Sequence, residues 1–243
     1  DGLIYVKYTN LEDVFEWEVL YLTENGEKNL FSGTCKDFLL LPSLTLLNEV
    51  PVSLWINDKE GTSGMNTMSD LEVKTVVKKD TNWLMNTTIA TNYDEICFAV
   101  RGDSKYAELV VANEAGIVSQ VRMDGKINSY ALTKDYILCG LRDWEETGKC
   151  HILRYDFKAD EKENFSTQGE LYRMCGGTKN DALCVDMHFN IYRIDGDAGR
   201  LEKINGVFGF ANMPVVFRPI FDNQVICAYL KDDIYSYYLL RLE

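Results

Sequence analysis

Four cysteines mark a period in this chain. Cys97, Cys139, Cys184 and Cys227 follow one another at intervals of 42, 45 and 43 residues, each inside a short apolar run. Around Cys139 the run is Tyr136-Ile137-Leu138-Cys139; a polar turn follows over Arg142 to Lys149, then an alternating run from His151 to Phe157. An apolar run, a polar turn and an alternating run are the sequence form of a β-hairpin. The form returns at Ala182 to Ile204 and Val225 to Leu242, and more loosely at Glu95 to Met123. A unit of this size cannot bury its own apolar face and must stack on copies of itself. A strand-rich period of about 40–50 residues is that of a β-propeller blade. The expected fold is therefore all-β, a propeller-like ring of four-stranded blades in a single domain over residues 1–243.

Taking the first strand of each hairpin, the units begin near Leu3, Val52, Glu95, Asp135, Ala182 and Val225, which makes about five to six blades. Both ends of the chain fall within hairpins. Either the closure is unusual or the rest of the ring lies outside this chain, as in a fragment of a larger propeller. A pair of non-repeating β-sandwiches with coincidental spacing is the competing fold. The chain has 243 residues, 46% of them apolar, and can bury a large core without metals or disulfides. Its fourteen Tyr and eleven Phe suit pleated sheets better than helices.

Local signals refine the picture. Asn25-Gly26 is a hairpin turn. Phe38-Leu39-Leu40-Leu41 is the most apolar tract, and Phe38 to Leu47 reads as strand-like, although Pro42 could open a short helix instead. Trp83 to Ala90 reads as a strand. The stretch Asn57 to Asp70, with Gly61, Gly64, Asn66 and several Ser and Thr, reads as a long exposed loop.

At Ile137 to Asp156, Ala182 to Asp195 and Leu109 to Asp124 the chain resembles the WD-repeat family of propellers, in which an apolar run enters a turn and a second run ends in Asp. Tyr155-Asp156, Ile194-Asp195 and Met123-Asp124 stand where that family has Trp-Asp, and its Gly-His pair is missing. The resemblance covers about three units. It implies a scaffold whose faces bind peptides or other proteins.

Charge narrows the partners. With 25 basic and 38 acidic residues the chain carries −13, which disfavours nucleic acid and anionic membrane surfaces and suits a protein partner with a basic surface. No run is apolar and long enough to cross a bilayer as a helix, so no membrane insertion is expected. Seven cysteines cannot all pair within the chain, and four sit in apolar strands as small hydrophobes. That points to a reducing, intracellular setting, cytoplasmic or nuclear.

The catalytic inventory is thin. His151 starts an alternating strand and reads as a surface or satisfied residue. Cys184 and His188 are four apart on one expected strand and could join Cys175 as three ligands, but the spacing matches no zinc pattern. No cofactor or metal is expected. A propeller glycosidase works with two or three channel carboxylates, for which Asp143, Glu145, Asp186, Asp195 and Asp232 are candidates; solvated turn acids are their bland reading. Three residues are candidates for binding. Met65 and Met68 lie in the expected loop, where exposed methionine suits adaptable recognition. Trp144 sits in the turn Asp143-Trp144-Glu145-Glu146, where it either anchors a contact or folds back onto its blade. The expected role is a non-enzymatic scaffold within a larger assembly. The alternative is an extracellular propeller that binds or cleaves glycans.

Overall fold

The computed structural model describes residues 2–69, 72–102, 106–142, 150–167, 169–176, 179–188, 190–204, 216–219, 224–231 and 234–241. The chain divides into two compact units: Asp1–Ile89 with Asp94–Arg122, and Ala90–Tyr93 with Met123–Glu243.

The first unit opens with a meander of β1 (Leu3–Leu11), β2 (Val14–Thr23) and β3 (Gly26–Cys35), paired in that order. A single 3-10 turn, Phe38–Leu40, leads to a second antiparallel meander of β4 (Ser43–Leu47), β5 (Val50–Asn57), β6 (Thr62–Ser69) and β7 (Glu72–Asp80). After β8 (Ala90–Thr91), which is counted with the second unit, come β9 (Ile96–Arg101), β10 (Ala107–Asn113) and β11 (Gly116–Met123). The segment Trp83–Met85 runs along β9 on the side away from β10. It is held by a Leu84–Val100 bridge and by bonds from Met85 N to Ala99 O and Arg101 N to Trp83 O.

Sheet packs on sheet within this unit because successive residues along each strand point to opposite faces. Trp17, Val19 and Cys35 of the first sheet meet Trp55 and Met68 of the second in one buried cluster. The opposite face of the second sheet carries Val52, Leu54, Ile56 and Met65 against Ile96, Phe98, Val100 and Val110. A central sheet buried on both sides leaves little room. Gly33 lies opposite Trp17 and Gly64 opposite Trp55, and a Cβ on Gly64 would stand 2.1 Å from the Val77 carbonyl oxygen and 3.1 Å from the Trp55 ring.

The second unit contains two four-stranded meanders. The first comprises β12 (Lys126–Leu132), β13 (Tyr136–Arg142), β14 (Cys150–Asp156) and β15 (Glu161–Ser166). The second comprises β16 (Leu171–Cys175), β17 (Asp181–Asp186), β18 (Ile191–Asp195) and β19 (Arg200–Lys203). A three-stranded sheet of β20 (Val216–Pro219), β21 (Gln224–Lys231) and β22 (Ile234–Arg241) follows. Ala131, Leu138 and Ile152 of one meander pack against Leu171, Met174, Ala182 and Ile194 of the next. Asp156 and Asp195, the acids that end the alternating runs, open the turns into the next strands. Asp156 Oδ1 accepts from Lys158 N and Ala159 N, and Asp195 Oδ1 accepts from Ala198 N.

The periodic cysteines occupy comparable places. Cys97 lies in β9, Cys139 in β13, Cys184 in β17 and Cys227 in β21, each in a strand with neighbours on both sides, and all four are fully buried. All seven cysteines are free and buried. Burial pushes the thiols up, Cys35 to about 11 and Cys227 to about 12, with Cys139 and Cys184 raised as well. The thiolate is the reactive form, so the folded protein should leave Ellman's reagent nearly untouched over minutes and react at all seven thiols after unfolding in guanidinium. A stoichiometric reaction in buffer would contradict this burial.

Three local expectations are corrected. Asn57 to Asp70 is not an exposed loop: a short turn over residues 58–61 leads into β6, whose residues 63–68 are all buried. Its Ser, Gly, Asn and Thr are small because the strand is sandwiched between two sheets. Phe38 to Leu47 is a 3-10 turn followed by a strand that begins only at Ser43, after Pro42. Trp83 to Ala90 is a bridged segment without regular strand pairing, apart from the start of β8.

Candidate interaction surface

Of the residues singled out in the sequence, Met65 and Met68 are core. Met65 is 0% and Met68 3% exposed, so the exposure on which their binding reading rested does not exist. Trp144, Asp143, Glu145 and Asp232 lie outside the described residues. Asp186 and Asp195 are both used locally. Asp186 accepts from His188 N, Asn190 N and Nδ2 and the Tyr192 hydroxyl; Asp195 caps its turn and pairs with Arg200 at 3.3 Å. Cys184 and His188 do not share a strand face, because β17 ends at Asp186 and His188 is exposed in the following turn. Among the described residues, no three His, Cys, Asp or Glu side chains are grouped to hold a metal.

The surface that stands out was not singled out as such. In the first unit, Tyr8 on β1, Phe15 on β2 and Phe38 in the 3-10 turn form a three-ring cluster. Tyr8 and Phe38 meet edge-on with centroids 5.6 Å apart, Phe15 and Phe38 at 6.1 Å, and Tyr8 and Phe15 at 6.2 Å. Aromatic pairs favour this geometry. Phe38 is nonetheless 53% exposed, and Leu39 beside it 72%.

An exposed apolar tip on a loose loop would mean little, but this one is pinned from below. The Asp37 carboxylate caps the turn by accepting from Leu39 N at 2.9 Å, and the Asp37 carbonyl accepts from Leu40 N at 2.9 Å. Buried Thr87 donates its hydroxyl to Leu41 O at 2.6 Å, and Leu40 and Leu41 turn inward against the core clusters. Two leucines of the tract thus anchor it, while Phe38 and Leu39 are held out in water.

A shallow cleft of about 540 Å3 opens over the same first sheet. In the strand register Lys7 and Thr9 pair with Glu18 and Glu16, the rows that alternate with Tyr8 and Trp17, so these side chains stand on the sheet's other face. The turn that closes the cleft is stitched to β3 by Asp58 N to Thr34 O at 2.8 Å and Lys59 N to the Thr34 hydroxyl at 3.1 Å.

The second unit has a polar hub between its two meanders. Asn180 donates through Nδ2 to Asp135 Oδ2 at 3.0 Å and Asp197 Oδ1 at 2.9 Å, and accepts at Oδ1 from Asp135 N at 3.0 Å. Lys158 pairs with Asp135 at 2.7 Å, and Arg154 lies over the Tyr136 ring while bonding to Glu163 and the Asp197 carbonyl. The bonds from Lys158 and Asn180 hold the Asp135 carboxyl below the usual carboxylate range. The groups of this hub answer one another, which suits a staple better than a reaction centre.

Comparison with solved structures identifies the architecture. The β-propeller domain of the Trilobed protease from Pyrococcus furiosus, described as having an open velcro topology, superposes with a TM-score of 0.63 at 10% identity, covering 100% of this chain and 82% of that one. Sqt1 of Saccharomyces cerevisiae gives 0.57 at 12% identity over 98% of this chain and 72% of its own. The acylaminoacyl peptidase of Pyrococcus horikoshii gives 0.59 at 13% identity over 98% of this chain and 45% of the peptidase. The fold is a β-propeller. At these identities the likeness extends to the fold alone. No family model and no curated sequence matches the chain.

Proposed function

We propose that the protein is a non-enzymatic interaction module, a subunit or domain of a larger assembly, that docks a protein partner on the Tyr8–Phe38–Leu39 step. The observation that carries this reading is the anchored turn: a fold that caps and pins three residues from below in order to hold Phe38 and Leu39 in water pays a solvation cost that docking would recover. The described candidate carboxylates, Asp186 and Asp195, are absorbed in turns, which supports binding over glycan cleavage. Seven free thiols favour a reducing compartment. No helix among the described residues is long and apolar enough to cross a membrane.

The test is quantitative co-purification of wild type and Phe38→Ser/Leu39→Ser from native extract. Both side chains are exposed, so the double variant should keep its melting temperature within a few degrees and lose its main partners by about tenfold or more. An unchanged partner profile, or hydrolysis of a glycan by the wild type, would overturn the reading.

A further inference from the structure

We propose that the step takes a basic peptide segment of the partner: an aromatic or leucine side chain on Phe38, Leu39 and Tyr8, with lysine or arginine beside it reaching the acids at the rim. This rests on the step being a docking surface and adds the chemistry of what docks there.

The argument is one of complementarity. The stretch of chain that supplies the step is acidic, residues 1–49 holding nine acids and three bases, −6 of the chain's −13, and three of those acids adjoin the step itself. Glu12 and Asp13 form the turn that closes the β1–β2 hairpin, immediately beyond exposed Leu11 and within three residues of Phe15. Asp37 directly precedes Phe38, with Lys36 the one cation adjoining it in sequence. Glu12 and Asp13 are both exposed in the two-residue turn and have no ion-pair partner among the described residues. An apolar centre with an acidic rim selects a ligand with the inverse pattern. Rim charges act chiefly on encounter rate, salt dependence and rejection of the wrong partner. An acidic or neutral apolar segment would meet the same rings at a disadvantage. Nucleic acid, whose phosphates would face those carboxylates, is the wrong chemistry.

The experiment selects a phage-displayed library of random dodecapeptides on the whole chain, then measures the enriched sequences as labelled synthetic peptides by fluorescence anisotropy. Enriched peptides should carry a Phe, Trp, Tyr or Leu close to two or more Lys or Arg. Their affinity should fall about tenfold in Glu12→Lys/Asp13→Lys and about as much between 50 and 300 mM salt. Binding should vanish in Phe38→Ser/Leu39→Ser. Peptides that depend on Phe38 and Leu39 but carry no net positive charge, or that bind Glu12→Lys/Asp13→Lys as well as wild type, would overturn the basic-peptide inference and leave the docking surface standing. Enriched peptides indifferent to Phe38→Ser/Leu39→Ser, or no enrichment at all, would overturn both.

Discussion

Trp17→Ala should lose about 4 kcal/mol of stability, the largest effect expected of any single substitution considered. Trp17 is 1% exposed, its ring lies over Gly33 and edge-on to Phe31 at 5.8 Å, and its Nε1 donates to the Ile56 carbonyl at 3.1 Å. It therefore joins the first sheet to the second by packing and by a buried bond at once. Those two contributions can be separated. Trp17→Phe keeps most of the ring and forfeits the bond, leaving the Ile56 oxygen with one donor fewer, at a cost of about 1–2 kcal/mol. Filling the space from the other side should fail too: a Cβ on Gly33 would sit 2.4 Å from the Trp17 ring, so Gly33→Ala forces the indole out of place. Urea unfolding followed by far-UV circular dichroism gives all three values. A Trp17→Ala variant within 1 kcal/mol of wild type would mean that the first sheet is not held by this residue.

The same contact shows which parts of the structure could be read in the sequence. The cysteine period was legible because a strand buried on both sides tolerates only small or apolar residues, and Cys139 and Cys184 each sit three residues into such a strand, as Cys227 does in β21 by position. The unit starts expected at Val52, Glu95, Asp135, Ala182 and Val225 fall at β5, β9, β13, β17 and β21, the second strand of each sheet or of its equivalent. The start expected at Leu3 falls at β1, the first strand of its own sheet; in the later sheets the first strands gave no start signal, as with β4, only five residues long. A finer motif was there to be found: Thr91, Thr133 and Thr178 each stand six residues before a periodic cysteine. The Thr133 hydroxyl accepts from Tyr136 N, and Thr133 O accepts from Asn92 Nδ2, so this threonine both closes its own hairpin and meets another turn of its unit.

The candidate surface was harder to read, for a physical reason. Four consecutive apolar residues, Phe38 to Leu41, carry no periodicity, and an apolar run alone argues for burial. Only the cap from Asp37, the anchor from distant Thr87 and the break at Pro42 divide the run into an inward and an outward pair. Thr87 is 46 residues from the carbonyl it holds, a relation that no local pattern encodes. Conversely, Met65 and Met68 misled because small polar neighbours are common both to loops and to a strand squeezed between two sheets. The Trp55–Gly64 pair that distinguishes the two cases exists only across strands.

Asp186→Asn should cost about 3 kcal/mol at neutral pH, and its effect should shrink in acid. Asp186 ends β17 nearly buried, and both its oxygens are engaged. Oδ1 accepts from His188 N and Asn190 N, each at 2.8 Å, and Oδ2 accepts from Asn190 Nδ2 at 2.9 Å and the Tyr192 hydroxyl at 3.0 Å. Burial works to raise the carboxyl's pKa, but the bonds from Asn190, Tyr192 and His188 outweigh it and leave the group below its ordinary value. Burial and the neighbouring carboxylate also push the Tyr192 phenol up to about 12, so it remains a donor throughout the working range. An asparagine keeps one acceptor oxygen and presents an amide N–H2 to the second pair of donors, which is why an isosteric change is costly here. A carboxyl whose pKa is lower folded than unfolded stabilises the protein above the unfolded value of about 4 and ceases to do so as the pH falls through the folded value. Urea unfolding of wild type and Asp186→Asn at pH 7, 5, 4 and 3 should therefore show a gap that is full at pH 7 and 5 and narrows from pH 4 downward. A gap that stayed constant to pH 3 would assign the cost to lost shape rather than lost charge, and a gap below 1 kcal/mol at pH 7 would remove Asp186 as the organiser of the β17–β18 turn.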